Sequence, residues 1–170
     1  CISPWNLPLY LLSWKIAPAL AAGNAVVAKP SEVTPATAWL LSRLAVEAGL
    51  PPGVLNVLHG TGAGVGAEIV AHPEVKAISF TGSTRVGAAI AAVAAPALKK
   101  LSLELGGKNP FIVFADADFD AAVETAVRAA YSNQGQICLC GSRILVQRPI
   151  YERFRDAFVA RARLLRPADP

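Results

Sequence analysis

The sequence predicts an α/β fold built on a parallel, doubly wound sheet. Short apolar runs carry few polar positions, stretches with helical signals lie between them, and the two kinds alternate along the chain. Strands buried on both faces and separated by helices are the signature of a parallel sheet covered on each side. Leu7 to Ala22 reads as a buried helix stopped by Gly23-Asn24, and Ala25 to Lys29 as a short strand. Thr34-Pro35 has the form of an N-cap followed by proline at the first helical position, opening a helix that Gly49 closes. Val54 to Leu58 reads as a strand, and Gly60 to Gly66 as a glycine-rich turn into a helix ending near Ala71. Ala77 to Phe80 (strand), Thr84 to Ala95 (helix) and Lys100 to Glu104 (strand) follow. Gly106-Gly107 then breaks the pattern and marks an expected domain boundary. Beyond it come a strand from Pro110 to Phe114, a helix from Asp118 to about Tyr131, a loop, a strand from Ser142 to Val146 and a last helix.

Composition narrows the function classes. Of 170 residues, 54% are hydrophobic and only 16% charged, with a mean hydropathy of +0.43. Such a chain is not intrinsically disordered. It has little polar skin for its size, and it opens on Cys1 with no methionine anywhere, so a segment of a longer protein is the expectation. The net charge of +4 is concentrated: seven arginines lie between Arg143 and Arg166 against Glu152 and Asp156. Their helical spacing from Tyr151 to Arg166 reads as a solvated face or a subunit contact, and nucleic acid is not the expected partner. Leu7 to Ala28 is apolar but interrupted by Pro8, Lys15, Pro18 and Asn24, so it reads as core and not as a membrane span. Three cysteines, an odd number, fit a reducing, cytoplasmic setting. His59 and His72 have no partners at metal-ligand spacing, so no metal is expected.

Several residues can do chemistry. Cys138 sits in the polar loop Asn133-Gln134-Gly135-Gln136-Ile137-Cys138, where a thiol can be exposed and activated, although a cysteine is also a good small core residue. Cys140, two residues on, points the same way if the chain there is extended, as packing or as a redox partner. Glu104 ends an apolar strand; partial burial would suit it to act as a general base, and a strand-end pair with Lys108 is the alternative. Lys29-Pro30-Ser31-Glu32 follows a strand, at the end where open α/β sheets bind nucleotides, or forms an exposed turn. There Lys29 can hold a ribose hydroxyl or a phosphate, and Glu32 can accept from ribose hydroxyls and repel a 2′-phosphate, favouring NAD over NADP. Gly60-Thr61-Gly62-Ala63-Gly64-Val65-Gly66 fits a dinucleotide fingerprint only loosely, and no acidic residue lies about twenty positions on. Phe80 to Gly87 joins a strand to a helix whose N-terminus can accept a phosphate. Asn6 offers an amide for an oxyanion or a helix cap, and Trp5 a flat wall.

Pro4-Trp5-Asn6, Lys29-Pro30-Ser31-Glu32, Phe80-Thr81-Gly82-Ser83 to Gly87, Glu104-Leu105-Gly106-Gly107-Lys108 and Gly135-Gln136-Ile137-Cys138, in this order, resemble the aldehyde dehydrogenase superfamily. The resemblance implies a Rossmann-like sheet in 1–106, the later part of an NAD-binding domain, and in 107–170 the beginning of a second, catalytic α/β domain. It makes Cys138 the nucleophile that forms a thiohemiacetal with an aldehyde. Asn6 and the Cys138 N–H become the oxyanion hole, and Glu104 the activator of the water that hydrolyses the resulting thioester. Trp5, Lys29, Glu32, Gly82, Ser83 and Gly87 fall to the NAD site. A small-molecule aldehyde is the implied partner, and the full-length protein is expected to be a homo-oligomer. The run Cys138-Leu139-Cys140-Gly141-Ser142-Arg143 is most similar to branches acting on muconic-type semialdehydes. Two alternatives stand beside this reading. One is a CoA-acylating semialdehyde dehydrogenase, a branch that generally lacks the base at Glu104; the other is a nucleotide-binding or interaction piece without catalysis.

Overall fold

A computed structural model of the chain describes residues 1–168. The chain forms two compact units, Cys1–Gly106 and Gly107–Pro170.

The first unit begins at Ile2, whose backbone forms parallel bridges to Lys29 on one side and Phe80 on the other. Then follow α1 (Pro8–Ala21), β1 (Val26–Ala28), α2 (Ala36–Glu47) and β2 (Leu55–Val57). A π-helical turn (Gly62–Gly66) runs into α3 (Ala67–Ala71), and β3 (Ala77–Gly82), α4 (Thr84–Ala94) and β4 (Lys100–Leu105) complete the unit. β1 pairs with β2 and β3 with β4, both in parallel, and Ile2 sits between the two pairs. The resulting order across the sheet is β2, β1, Ile2, β3, β4.

That order reverses beside Ile2: the chain first steps outward to β1 and β2, then returns to β3 and steps the other way. Right-handed crossovers place helices on opposite faces when the stepping direction reverses. The packing agrees, because the two apolar clusters share no residue. Leu12, Ile16, Val26, Ala28 and Ala38 join α1 and α2 to β1. Ile2, Val70, Ile78, Phe80, Ile90 and Ala94 join α3 and α4 to β3. Burying each Leu, Ile or Phe contributes roughly 1.5–3 kcal/mol, so each cluster holds its own helix pair on the sheet.

The expected cap at Thr34 does not form. Helix α2 starts at Ala36 with Pro35 in the cap position and no side-chain cap bond, while the Thr34 hydroxyl is buried without a partner among the described residues. Pro35 is itself in the helical region (φ −83°, ψ −20°), and the Thr34 N–H closes a turn onto the Ser31 carbonyl at 3.2 Å, so Thr34 belongs to the turn before the helix.

The second unit contains β5 (Pro110–Val113), α5 (Phe119–Tyr131), a 3₁₀ turn (Ser132–Gly135), β6 (Arg143–Val146), a second 3₁₀ turn (Arg148–Ile150) and α6 (Tyr151–Ala162). β5 and β6 are parallel. Asp118 caps α5, its carboxylate accepting from the Ala121 N–H at 3.1 Å. Val113, Val123, Ala126 and Phe154 form the core, with Phe119 and Phe158 packed against Phe154. Two arginines on α6 have local partners. Arg153 lies over the Phe119 ring at 3.8 Å, and Arg155 pairs with Glu152 and Asp156.

Candidate functional site

In a parallel sheet every strand ends on the same edge, and in open α/β sheets the crevice beyond that edge is where ligands bind. The first unit brings most of the expected residues there. Pro4-Trp5-Asn6 follows Ile2, Lys29 to Glu32 follows β1, Gly82-Ser83 ends β3, and Glu104 lies near the end of β4. The strand order reverses between Ile2 and β3, so the segment carrying Asn6 and the turn carrying Ser83 flank the reversal.

Lys29 is almost wholly buried, at 2% exposure. Its ammonium donates to the Pro30 carbonyl at 2.8 Å and to the Glu32 carboxylate at 3.2 Å, leaving one N–H donor for anything beyond. Its stem lies beneath the π-turn, where a Cβ on Gly66 would come within 3.5 Å of the Lys29 Cδ. Glu32 is exposed and also accepts from the Gly62 N–H at 3.3 Å. Its own backbone N–H, the Lys29 ammonium and the Gly62 N–H hold its carboxyl below the usual glutamate range. One carboxylate thus ties the segment after β1 to the turn after β2.

The loose glycine fingerprint at Gly60 to Gly66 is this π-turn, with Thr61 Oγ1 accepting from the Gly64 N–H at 3.1 Å. It follows β2, the outermost strand, and not the strand beside the reversal. The second glycine segment is the one beside it. Ser83 caps α4, its hydroxyl accepting from the Val86 N–H at 3.3 Å. The N–H groups of Thr84 and Arg85 have no acceptor among the described residues. Gly87 lies inside α4 and is buried; a Cβ there would meet Leu105 Cδ2 at 2.5 Å, so its smallness lets α4 close onto β4.

Asn6 is half-buried, two residues before α1 starts at Pro8, with Leu7 in the cap position. Trp5 stands 46% exposed beside it. Glu104 departs from its expected partial burial. It is exposed, because inward and outward positions alternate along β4 and Leu103 and Leu105 take the inward ones. It makes no ion pair with Lys108 among the described residues. Its field falls instead on Lys15, a residue the sequence does not single out as functional. Lys15 donates to Ser79 Oγ at 3.1 Å; burial lowers the pKa of its ammonium, and the Glu104 carboxylate partly opposes this.

Cys138 belongs to the second unit. The chain around it is not extended. The Cys140 N–H donates to the Ile137 carbonyl at 3.1 Å, closing a turn that leaves Cys138 exposed and Cys140 buried. The two thiols therefore face different surroundings, contrary to the expected common direction. The Cys140 thiol lies 3.8 Å from the Ser132 carbonyl. The Cys138 N–H has no acceptor among the described residues, while its carbonyl takes a short hydrogen bond from the Asn109 amide. Upstream, Asn133, Gln134 and Gly135 all have positive φ, at 49°, 57° and 72°.

The first unit alone is an open, parallel α/β fold of the Rossmann-like class, with its charged and glycine-bearing turns on the strand-end side. Over residues 1–170 the sequence matches the Aldehyde dehydrogenase family, and the chain belongs to that family. It is 58% identical to the 2-aminomuconic semialdehyde dehydrogenase of Bos taurus, the match covering 99% of this chain and 35% of the relative. With the 2-hydroxymuconic semialdehyde dehydrogenase of Pseudomonas putida it shares 55% identity over 94% of this chain and 32% of the relative. The crystal structure of betaine aldehyde dehydrogenase from Staphylococcus aureus in complex with NAD+ superposes with a TM-score of 0.93 at 47% identity, covering 96% of this chain and 32% of that one. The chain thus spans about a third of the length of the curated relatives it matches.

Proposed function

We propose that the full-length protein carrying this chain oxidises an aldehyde to a carboxylic acid with NAD. In this reading Cys1–Gly106 is the later part of the NAD-binding domain and Gly107–Pro170 the beginning of the catalytic domain. The observation that carries it is Cys138: an exposed thiol in a closed turn, its own N–H without an acceptor among the described residues, in a chain that matches the family throughout.

The cofactor fits the residues of the first unit. The Thr84 and Arg85 N–H groups at the start of α4 suit a pyrophosphate oxygen, helped by the helix dipole, with Gly82 and Ser83 forming the approach. The buried Ser3 hydroxyl, directly after Ile2, has no partner among the described residues and suits a polar ligand. Lys29 and Glu32 suit the hydroxyls of a ribose, and the Glu32 carboxylate, held in its ionised form, disfavours a 2′-phosphate. NADP kinetics equal to those with NAD would remove that preference. When bound, NAD supplies the hydride acceptor that converts the Cys138 adduct to a thioester.

The chain's own residues do the rest. The Cys138 thiolate adds to the aldehyde carbon, a soft nucleophile on a carbonyl, and the oxygen becomes an oxyanion. The Cys138 N–H and the Asn6 amide stabilise that charge, an effect worth about 3–4 kcal/mol for each well-placed donor. Glu104, exposed and able to meet water, takes a proton as water attacks the thioester, and the acid leaves as the Cys138 sulfur is regenerated. A semialdehyde is the favoured substrate class, supported by the names of the relatives above. In a stopped assay, full-length protein with NAD and an aldehyde is expected to release NADH and acid, and Cys138→Ala to abolish both. Unchanged turnover in Cys138→Ala would overturn the reading.

A further inference from the structure

Two peptide planes flank Cys138, and the carbonyl of each is pinned. The Ile137 carbonyl accepts from the Cys140 N–H at 3.1 Å. The Cys138 carbonyl accepts from the Asn109 amide nitrogen, which also lies 3.3 Å from the Cys140 carbonyl. A trans peptide is planar, so fixing its C=O fixes its N–H as well. The first bond therefore sets the direction of the Cys138 N–H, and the second restrains ψ of Cys138. Between them they set the direction of the Cα–Cβ bond, and so the arc available to the sulfur.

Of the two pins, one is backbone and the other is a single side chain. Among the described residues, no side chain but that of Asn109 bonds to the backbone of Cys138. Asn109 is itself held, its carbonyl accepting from the Arg143 N–H at 3.2 Å where the β5–β6 pairing begins. The sheet edge thus delivers the amide to the turn. Of the three positive-φ residues upstream, glycine and asparagine adopt that region readily, and Gln134 makes the loop costly to hold in place, by roughly 1–2 kcal/mol. A pin on the downstream side opposes its relaxation.

We infer that Asn109 is a positioning residue for Cys138: its amide holds the Cys138–Leu139 peptide so that thiol and N–H meet the reacting carbonyl together. This rests on Cys138 being the nucleophile. The test uses full-length protein, with Asn109→Ala and Asn109→Asp beside Cys138→Ala. Asp keeps the shape of Asn but, when ionised, has no N–H to give, so packing is preserved and the donor is lost. Both Asn109 variants are expected to lower kcat about tenfold to a hundredfold, the scale of a small misplacement of a reacting group, with KM for NAD unchanged. As the pH is lowered from 8 towards 4, into the range where a carboxyl facing the Cys138 and Cys140 carbonyl oxygens takes up a proton, Asn109→Asp is expected to recover relative to wild type, because a protonated carboxyl regains one donor; Asn109→Ala is not. Wild-type kcat in Asn109→Asp at pH 8, or a loss in Asn109→Asp that is constant with pH and matched by a rise in KM for NAD, overturns the inference. Activity in Cys138→Ala overturns the nucleophile assignment instead, so the two failures are distinct.

Discussion

The Lys29 ammonium, 2% exposed, is paired at 3.2 Å with a Glu32 carboxylate that is 48% exposed. A buried cation is tolerated here because its partner reaches it from the solvent side and carries a second hydrogen bond from Gly62.

Glu32→Gln is expected to destabilise the protein at neutral pH by about 1–3 kcal/mol, since Lys29 loses its counter-charge while remaining buried. The Glu32 carboxyl sits below its ordinary range in the folded state, so its contribution is present above that range and is lost as the pH falls through the lowered value. Thermal unfolding of wild type and Glu32→Gln, followed from neutral pH into the acid range, should therefore show the gap between them closing.

Gly87→Ala sets two effects against each other. Alanine gains about 1 kcal/mol of helix propensity over glycine, but its Cβ would press on Leu105 at 2.5 Å, and overpacking costs about 1–3 kcal/mol. Destabilisation is the expected outcome in the wild-type background. With Leu105→Ala already present, the same change should become stabilising. A double-mutant cycle by chemical denaturation measures the coupling.

Gly135→Ala meets both a φ of +72° and an Ala130 carbonyl 3.0 Å from the new Cβ. A loss of about 1–3 kcal/mol is expected, together with slower turnover, because the strain falls three residues before Cys138. Gln134→Gly, at φ +57°, should act in the opposite direction on stability. Denaturation midpoints of the two variants check the pair.

Much of this fold is legible in the sequence because its signals are local. Helices α1, α4 and α5 and strands β1 to β6 follow from apolar runs, caps and glycine stops within a few residues of where they occur. What the sequence hides depends on distant partners. Ile2 is recognisable as part of the sheet only through Lys29 and Phe80, 27 and 78 positions away. The cap expected at Thr34 fails because Pro35 takes the cap position in helical geometry, a one-residue shift that no local signal distinguishes. At the candidate site, residue types and order are readable, but burial is not. Glu104 is exposed, and Cys138 and Cys140 part ways because one backbone hydrogen bond turns the chain. Asn109 carries no sequence signal for its contact with Cys138, 29 positions on.

The division of labour proposed for Cys138 and Glu104 is tested most directly by mass measurement of full-length Glu104→Gln mixed with NAD and an aldehyde. A burst of about one NADH per active site should be followed by near-arrest, with the acyl mass retained on the peptide bearing Cys138. Steady turnover at the wild-type rate with no mass added to Cys138 would contradict it.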